Sequence, residues 1–586
     1  MNPRNRQHED GAGLGPRRWR LRRAGTLRIL SACVFAGALA LVLMLLAPDR
    51  DAATRAVART RHPAESVLFA PHPAAISGSL TFSHVFRPGP ALPNLPVDVV
   101  TLAPRSASRQ VPSSFLGIST EYWALPFFEN QPSLFERALS LFTTPDQGPL
   151  VLRIGGDSAD HTFWGMKPRT APPWVVRLSP ALLSQLGALV DQLGAKLILD
   201  LNLVTDSPLT AAQWARAAAT GLPRGGLVGF EVGNEPDLYR RRYWEWAISH
   251  PTLGMTVLPK DLSPATYVRD FEAYSDALDQ AAPDIPLVGP AVANPASDFD
   301  WVSTLMASDH PRLGMVSGHV YPYSACARRS KATYPTIARV LSENASAGIA
   351  ERIEPAVRLA HSAGLPFRLT EMNSVTCGGL SGVSDTFATA LWAPDALFEM
   401  LRAGVDGVNI HVRARAINAA FALSRREMTA RPLMYGLMLF NRTLGPGARL
   451  TAVQVYGQGR RAPRLKVWAV HVNGGGLHVL IIDKSNRAAN VDLRIPAAGA
   501  ASVQRLLAPS VGSRSGVTLA GQHVGADASW HGARVTETVW PGRRGYVVTV
   551  PQMSAALVGM RLAAPKPAPV SAAGHARETA RHRTAP

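Results

Sequence analysis

Residues 196–202 read K-L-I-L-D-L-N, and they follow S-P-A-L-L-S-Q-L-G-A-L-V-D-Q-L at 179–193 and L-V-L-R-I at 150–154. The outer two runs are too short for buried helices. Their near-continuous Leu, Ile and Val suit parallel strands covered on both faces. In the middle run, Leu182, Leu183, Leu186, Leu189, Val190 and Leu193 recur at the helical period. Ser179 can cap that helix, Pro180 takes its first position, and Gly194 can close it. The stretch therefore predicts strand, helix, strand.

The same alternation extends in both directions. Strand-length apolar runs occur at Phe115–Ser119, Leu150–Ile154, Lys196–Asn202, Val228–Gly233, Pro286–Pro290, Met315–Val320, Phe367–Glu371 and Asp406–His411. A further helix is expected from about Ser384 to Arg402. Eight such units over roughly 330 residues predict an α/β fold of the (β/α)8 TIM barrel type. An open doubly wound sheet is the alternative, but no G-x-G-x-x-G follows the first strand. Beyond about residue 445 the helical period stops. Leu465–Val472 and His478–Asp483 flank Asn473-Gly474-Gly475-Gly476 as a hairpin would, and Val491–Ile495, Tyr546–Val550 and Ala556–Leu562 are further strands. These predict a C-terminal antiparallel β-sandwich, which strand-like residues ahead of the barrel could join.

The 586 residues carry a formal charge of +19, with 46% apolar side chains, which excludes a fully disordered chain. Three cysteines, none in a C-x-x-C pair, exclude a disulfide scaffold and speak against structural zinc. Ile29–Ala47 is free of charge and about the length that spans a bilayer. Eight arginines against Glu9 and Asp10 precede it, a net +6. One N-terminal transmembrane helix is expected, with a cytoplasmic N-terminus and an extracellular catalytic part. The alternative is secretion after signal cleavage. The expected organisation is a basic segment 1–28, an anchor 29–47, a linker 48–76, strands at 77–112 joining the sandwich, a barrel 113–444, a sandwich 445–563 and a disordered tail 564–586. The excess charge sits largely at the two ends and is not interleaved with aromatics, so no nucleic acid partner is expected.

Barrel enzymes place their chemistry at the C-terminal ends of the strands. Strand four ends Val232-Gly233-Asn234-Glu235-Pro236, and strand seven ends Thr370-Glu371. Strand six runs into His319-Val320-Tyr321, and strand eight ends at His411. Two carboxylates aimed into one mouth suit glycoside hydrolysis with retention, in which one attacks and the other moves a proton. Asn234 suits a sugar 2-hydroxyl, and Tyr321 could donate to Glu371 and keep it anionic. Taken singly, a strand-ending Glu is often a helix cap, and His319 and His411 could be core histidines. The combination in one register favours the site. Cys326 and Cys377 follow strands six and seven on the same face, and a disulfide between them is expected.

The motifs R-I-G-G-D at 153–157, V-G-N-E-P at 232–236, H-x-Y at 319–321 and T-E-x-N-S at 370–374 resemble glycoside hydrolase family 79, the β-glucuronidases and heparanases. Gly378-Gly379, Ser384–Ala388 and Ser554–Val558 look similar too, so the resemblance covers roughly residues 78–563. It implies Glu235 as acid/base, Glu371 as nucleophile, contacts to the glycone from Glu121 and Asp157, and Asn234 on the 2-hydroxyl. It also implies that the loop Val375–Gly379, including Cys377 and Gly378, binds a uronate carboxylate. The family often has Tyr then Gly where this chain has Thr376 and Cys377. No metal or organic cofactor is expected. The implied substrate is an acidic oligosaccharide, polysaccharide or glycoside with a β-linked uronic acid. The competing readings are a retaining enzyme for neutral glucosides or xylosides, and a non-catalytic glycan-binding surface protein.

Overall fold

A computed structural model describes residues 97–102, 108–125, 128, 132–144, 146–167, 175–239, 262–308, 312–457 and 465–563. The expected anchor at 29–47, its basic flank, the linker and the tail lie outside the described residues. Among the described residues no helix is long and apolar enough to cross a membrane.

Eight strands close into a barrel. They are β1 Leu116–Glu121, β2 Val151–Gly155, β3 Lys196–Leu201, β4 Leu227–Val232, β5 Leu287–Val292, β6 Leu313–Val320, β7 Phe367–Met372 and β8 Gly407–His411. Each pairs in parallel with the next, and β8 returns to β1 through Val408↔Leu116 to His411↔Ser119. Every strand read from the sequence is thus present, with ends shifted by one or two residues. The lower interior is apolar, with Val151, Ile198 and Val288 in contact. Higher up, the inward positions turn polar and charged.

The helices begin where short polar residues precede proline. Ser179-Pro180, Ser207-Pro208 and Ser263-Pro264 each put a serine at the N-cap and proline in the first turn. The serine hydroxyl satisfies a free backbone N–H, and proline loses nothing where no helical bond was due. Gly194 closes the first of these at φ 62°. The later helix spans Phe387–Ala403, three residues beyond the expected start at Ser384. Ser384 and Asp385 instead accept from the backbone N–H groups of Leu380 and Gly382, so these polar side chains stabilise a turn that competes with helix.

The C-terminal domain has two facing sheets. One runs Val453–Tyr456, Val97–Leu102, Ala489–Leu493, Tyr546–Val550, and the other centres on Leu465–Val472, Gly476–Asp483, Ser554–Leu562 and Ala497–Leu507. Val479, Ile481, Val491, Leu493, Val503, Val548 and Val558 fill the space between them. It departs from a purely antiparallel sandwich in one place, because Val97–Leu102 runs parallel to Ala489–Leu493. The whole barrel separates these two strands in sequence, so no hairpin sets their direction.

A buried ionic cluster joins barrel and sandwich. Asp395, on the Phe387–Ala403 helix, accepts from Lys484 Nζ at 2.6 Å and from Trp468 Nε1 at 3.2 Å. Lys466 bridges Glu343 at 2.7 Å and Glu399 at 2.8 Å. Burial presses the Asp395 carboxyl upward, but Lys484 and Lys466 outweigh it and hold it below its ordinary range. Removing one partner of such a pair strands the other charge in the interior. Lys484→Ala is expected to lower stability by about 3–5 kcal/mol at neutral pH, read by urea unfolding. A smaller loss for Lys484→Ala than for the exposed Arg358→Ala would contradict the coupling assigned here.

Candidate active site

Arg153 enters the barrel from β2 and is fully buried. Its Nε donates to Glu231 Oε2 at 2.7 Å, and Nη2 donates to Asp200 Oδ2 and Asn234 Oδ1, both at 2.9 Å. Nη1 reaches Glu371 Oε2 at 3.2 Å. One guanidinium therefore links β3, β4, the turn after β4 and β7. Local sequence assigns no role to Arg153, Asp200 or Glu231. All three are charged residues within apolar strands, V-L-R-I, L-I-L-D-L and G-F-E-V, and that was the available signal.

The turn after β4 places the first carboxylate. Gly233 adopts φ 79°, and a side chain there would strike Leu203 and the Tyr239 hydroxyl. Glu235 is itself left-handed at φ 49°, held by its N–H donating to Ala291 O at 3.0 Å. Its Oε1 meets His319 Nδ1 at 3.0 Å.

The second carboxylate depends on an irregularity in β7. Gly318 pairs with Leu369, but His319 pairs with Glu371, and a matching shift occurs against β8. Alternation counted from the inward-facing Arg368 would send Glu371 to the helix side. The extra residue reverses the parity and turns Glu371 into the cavity. There Tyr321 donates its hydroxyl to Glu371 Oε1 at 2.7 Å, and His411 Nδ1 lies 2.9 Å from the same oxygen. Burial would push the Glu371 carboxyl up. His411, by charge and hydrogen bond, together with His319 and Arg153, outweighs it and holds Glu371 well below its usual range.

One oxygen of Glu235, one of Glu371 and one ring nitrogen of His319 all lie within 4.8 Å of one another. This trio is also spaced as cation ligands can be. However, Arg153 already supplies positive charge beside Glu371, and His319 Nδ1 is engaged with Glu235.

The remaining expected residues line the surrounding wall. Glu121 ends β1 and accepts from the N–H of Ser158 at 3.0 Å; Gly156, at φ 69°, leaves room for it. Asn234 Nδ2 approaches Asp157 Oδ1 at 3.4 Å. Asp157 opens to the cleft, and its carboxyl is raised well above its ordinary range by enclosure and by Glu121, Glu235 and Glu371. Cys377 and Cys326 form the expected disulfide at the exposed rim. The Cys377 thiol is therefore committed, which leaves only its backbone for a ligand. Gly378 follows at φ 74°, and Arg413, which no motif in the sequence marks, lies against it.

Two carboxylates facing each other across the mouth of a closed (β/α)8 barrel, one of them held ionised, are the equipment of a glycoside hydrolase. Residues 467–557 match the family profile described as the glycosyl hydrolase family 79 C-terminal beta domain. The resemblance to glycoside hydrolase family 79 read from the sequence therefore holds, and the chain is a glycoside hydrolase carrying that family's C-terminal domain. No curated protein matches the chain by sequence. Among solved structures, a 4-O-α-L-rhamnosyl-β-D-glucuronidase from Fusarium oxysporum superposes with a TM-score of 0.64 at 17% identity, over 78% of this chain and 99% of that one. A family 51 arabinofuranosidase from Xanthomonas axonopodis pv. citri gives 0.58 at 15%, over 80% and 100%. A family 44 endoglucanase from Clostridium thermocellum gives 0.53 at 12%, over 80% and 100%. At these identities the superpositions show the shared fold.

The Glu371 environment sets a pH expectation. A depressed carboxyl stays ionised below its ordinary value of 4.5, so the acid limb of kcat/KM is expected below pH 4.5. His411→Phe removes a group that lowers Glu371, so the limb should move to higher pH. A limb that stays in place in that variant would show that His411 does not tune Glu371.

Proposed function

We propose that this chain is a retaining glycoside hydrolase that cleaves β-linked uronosides by double displacement. The observation that carries the reading is the approach of Glu235 and Glu371 within 4.8 Å. Retaining pairs stand about 5–5.5 Å apart, whereas inverting pairs leave about 6.5–9.5 Å for a water. Glu371, ionised beside Arg153, attacks the anomeric carbon while Glu235 gives its proton to the departing glycosidic oxygen. The glycosyl–Glu371 ester is then opened by water, which Glu235 deprotonates, so the acid is restored and Glu371 is released. Tyr321 and His411 hold one oxygen of Glu371 and Arg153 the other, which fixes the carboxylate plane before substrate arrives.

The uronoside part is supported by the family 79 resemblance and by the glucuronidase among the structural neighbours. A neutral glycone is the second reading, favoured by the acidic wall of Glu121 and Asp157, which suits sugar hydroxyls. Matched aryl β-glucuronides, β-glucosides and β-xylosides separate the two. Proton NMR of early product should show the β-anomer first; an α-anomer would refute retention. Glu371→Ala is expected to lose roughly 10⁴-fold in kcat, about 5 kcal/mol. In kcat/KM, which reports the first step, Glu235→Ala should lose about 10²–10⁴-fold on poor leaving groups and much less on a dinitrophenyl glycoside, which departs without a proton. Equal losses on both leaving groups would sink the acid/base assignment.

Placement outside the cytoplasm, anchored through Ile29–Ala47, belongs to the same proposal. The basic flank and the Cys326–Cys377 disulfide support it, since such bonds persist in oxidising compartments. The full chain should sediment with membranes and a chain starting after residue 76 should not. Equal solubility of the two would remove the anchor.

A further inference from the structure

This inference rests on the uronoside reading and asks which group recognises the acid. Glu121, Asp157, Glu235 and Glu371 line the sugar site, so an anionic glycone is favoured by a positive partner there. Arg153 is already shared among four acceptors. Arg413, in the loop after β8, is not. Its Nη1 lies 4.0 Å from Glu121 Oε1, beyond hydrogen-bond range, and it makes no hydrogen bond among the described residues. Its side chain is 34% exposed, and its guanidinium lies beside Glu121 and Gly378 at the edge of the cleft. A Cβ added to Gly378 would come within 3.2 Å of Nη2, so Gly378 leaves the space the fork occupies.

The position is built rather than incidental. Asn373 Nδ2 donates to His411 O and Asn418 O, both at 2.9 Å, and Asn418 Nδ2 donates to Val375 O at 2.7 Å. Gly378 O accepts from Ile417 N at 2.7 Å. The loops after β7 and β8 are thereby stitched into one wall. Arg413 faces the turn that follows the nucleophile, beside Glu121 on the neighbouring strand.

We propose that Arg413 is the specificity-determining residue of this site, its guanidinium receiving the carboxylate of the glycone while Glu121 accepts from an adjacent sugar hydroxyl. A planar fork with free donors matches a carboxylate with two parallel N–H···O bonds, which a lysine cannot reproduce. A neutral sugar in the same place gains none of this.

The test uses the full chain. For wild type, Arg413→Gln and Arg413→Lys, kcat/KM is measured on an aryl β-glucuronide and on the matched β-glucoside. In Arg413→Gln the glucuronide-to-glucoside ratio should fall by roughly 30-fold or more, chiefly through KM, with partial recovery in Arg413→Lys. A parallel loss on both substrates, or an unchanged ratio, overturns the proposal. A second measurement needs no variant: free glucuronate should inhibit wild type at least about 10-fold more tightly than its methyl ester. Equal inhibition overturns the proposal even if Arg413→Gln does not fold. Wild type that cleaves the glucoside and not the glucuronide overturns the uronoside reading itself. A wild-type glucuronide preference that survives in Arg413→Gln overturns this inference alone.

Discussion

The buried guanidinium of Arg153 is the interaction on which the site depends. It is enclosed by three carboxylates, Glu231, Asp200 and Glu371. Burial and Glu231 push the Asp200 carboxyl well above its ordinary range, against the pull of Arg153. Burial alone would lower the Arg153 guanidinium, but its carboxylate neighbours raise it. The result is a fixed positive charge inside a low-dielectric barrel, with one fork arm directed at Glu371. Because the desolvation of Arg153 is met by partners from three strands and the β4 turn, moving any of those elements would leave a buried charge unpaired. The barrel and the environment of Glu371 are therefore one arrangement.

That arrangement explains why the strand ends are irregular. Regular alternation would face Arg368 and Thr370 inward and Glu371 outward, and the extra residue in β7 exchanges regular pairing for a correctly aimed carboxylate. On the opposite side, Gly233 and Glu235 in left-handed backbone bring the chain back over the mouth. A non-glycine residue in this conformation costs about 1–3 kcal/mol and persists only where its surroundings over-determine it. Here the Ala291 carbonyl, His319 and the 3₁₀ turn at Pro236–Leu238 do so.

The eight barrel strands were legible because burial on both faces demands unbroken apolar runs, and the helix at 179–193 because Ser-Pro and Gly mark its ends. Glu235, Glu371, His319, Tyr321 and His411 were legible because a barrel fixes which strand ends share a mouth. Arg153, Asp200 and Glu231 were not, because inward and outward parity within a strand is set by closure and by bulges. Ala497–Leu507 escaped notice because its opening A-A-G-A-A has little strand preference; pairing with Ser554–Leu562 supplies what local sequence does not. Arg413 escaped notice because its placement depends on Asn373 and Asn418, which join two loops about 40 residues apart through bonds that no local pattern announces.

The distribution of charge ties these points together. The chain is strongly basic, yet its catalytic mouth gathers Glu121, Asp157, Glu235 and Glu371. Such a cluster is tolerable only if its members differ in protonation and partner. Glu371 is pinned by Arg153 and His411, Asp157 is driven toward its neutral form by its neighbours, and Glu121 is satisfied by the Ser158 N–H. Among the described residues the Glu235 side chain has one hydrogen-bond partner, His319, and it is more exposed than Glu371. The asymmetry between two otherwise identical carboxylates comes from the elements that carry them. A strand inside the barrel delivers Glu371 to Arg153 and His411, whereas a turn at the rim carries Glu235.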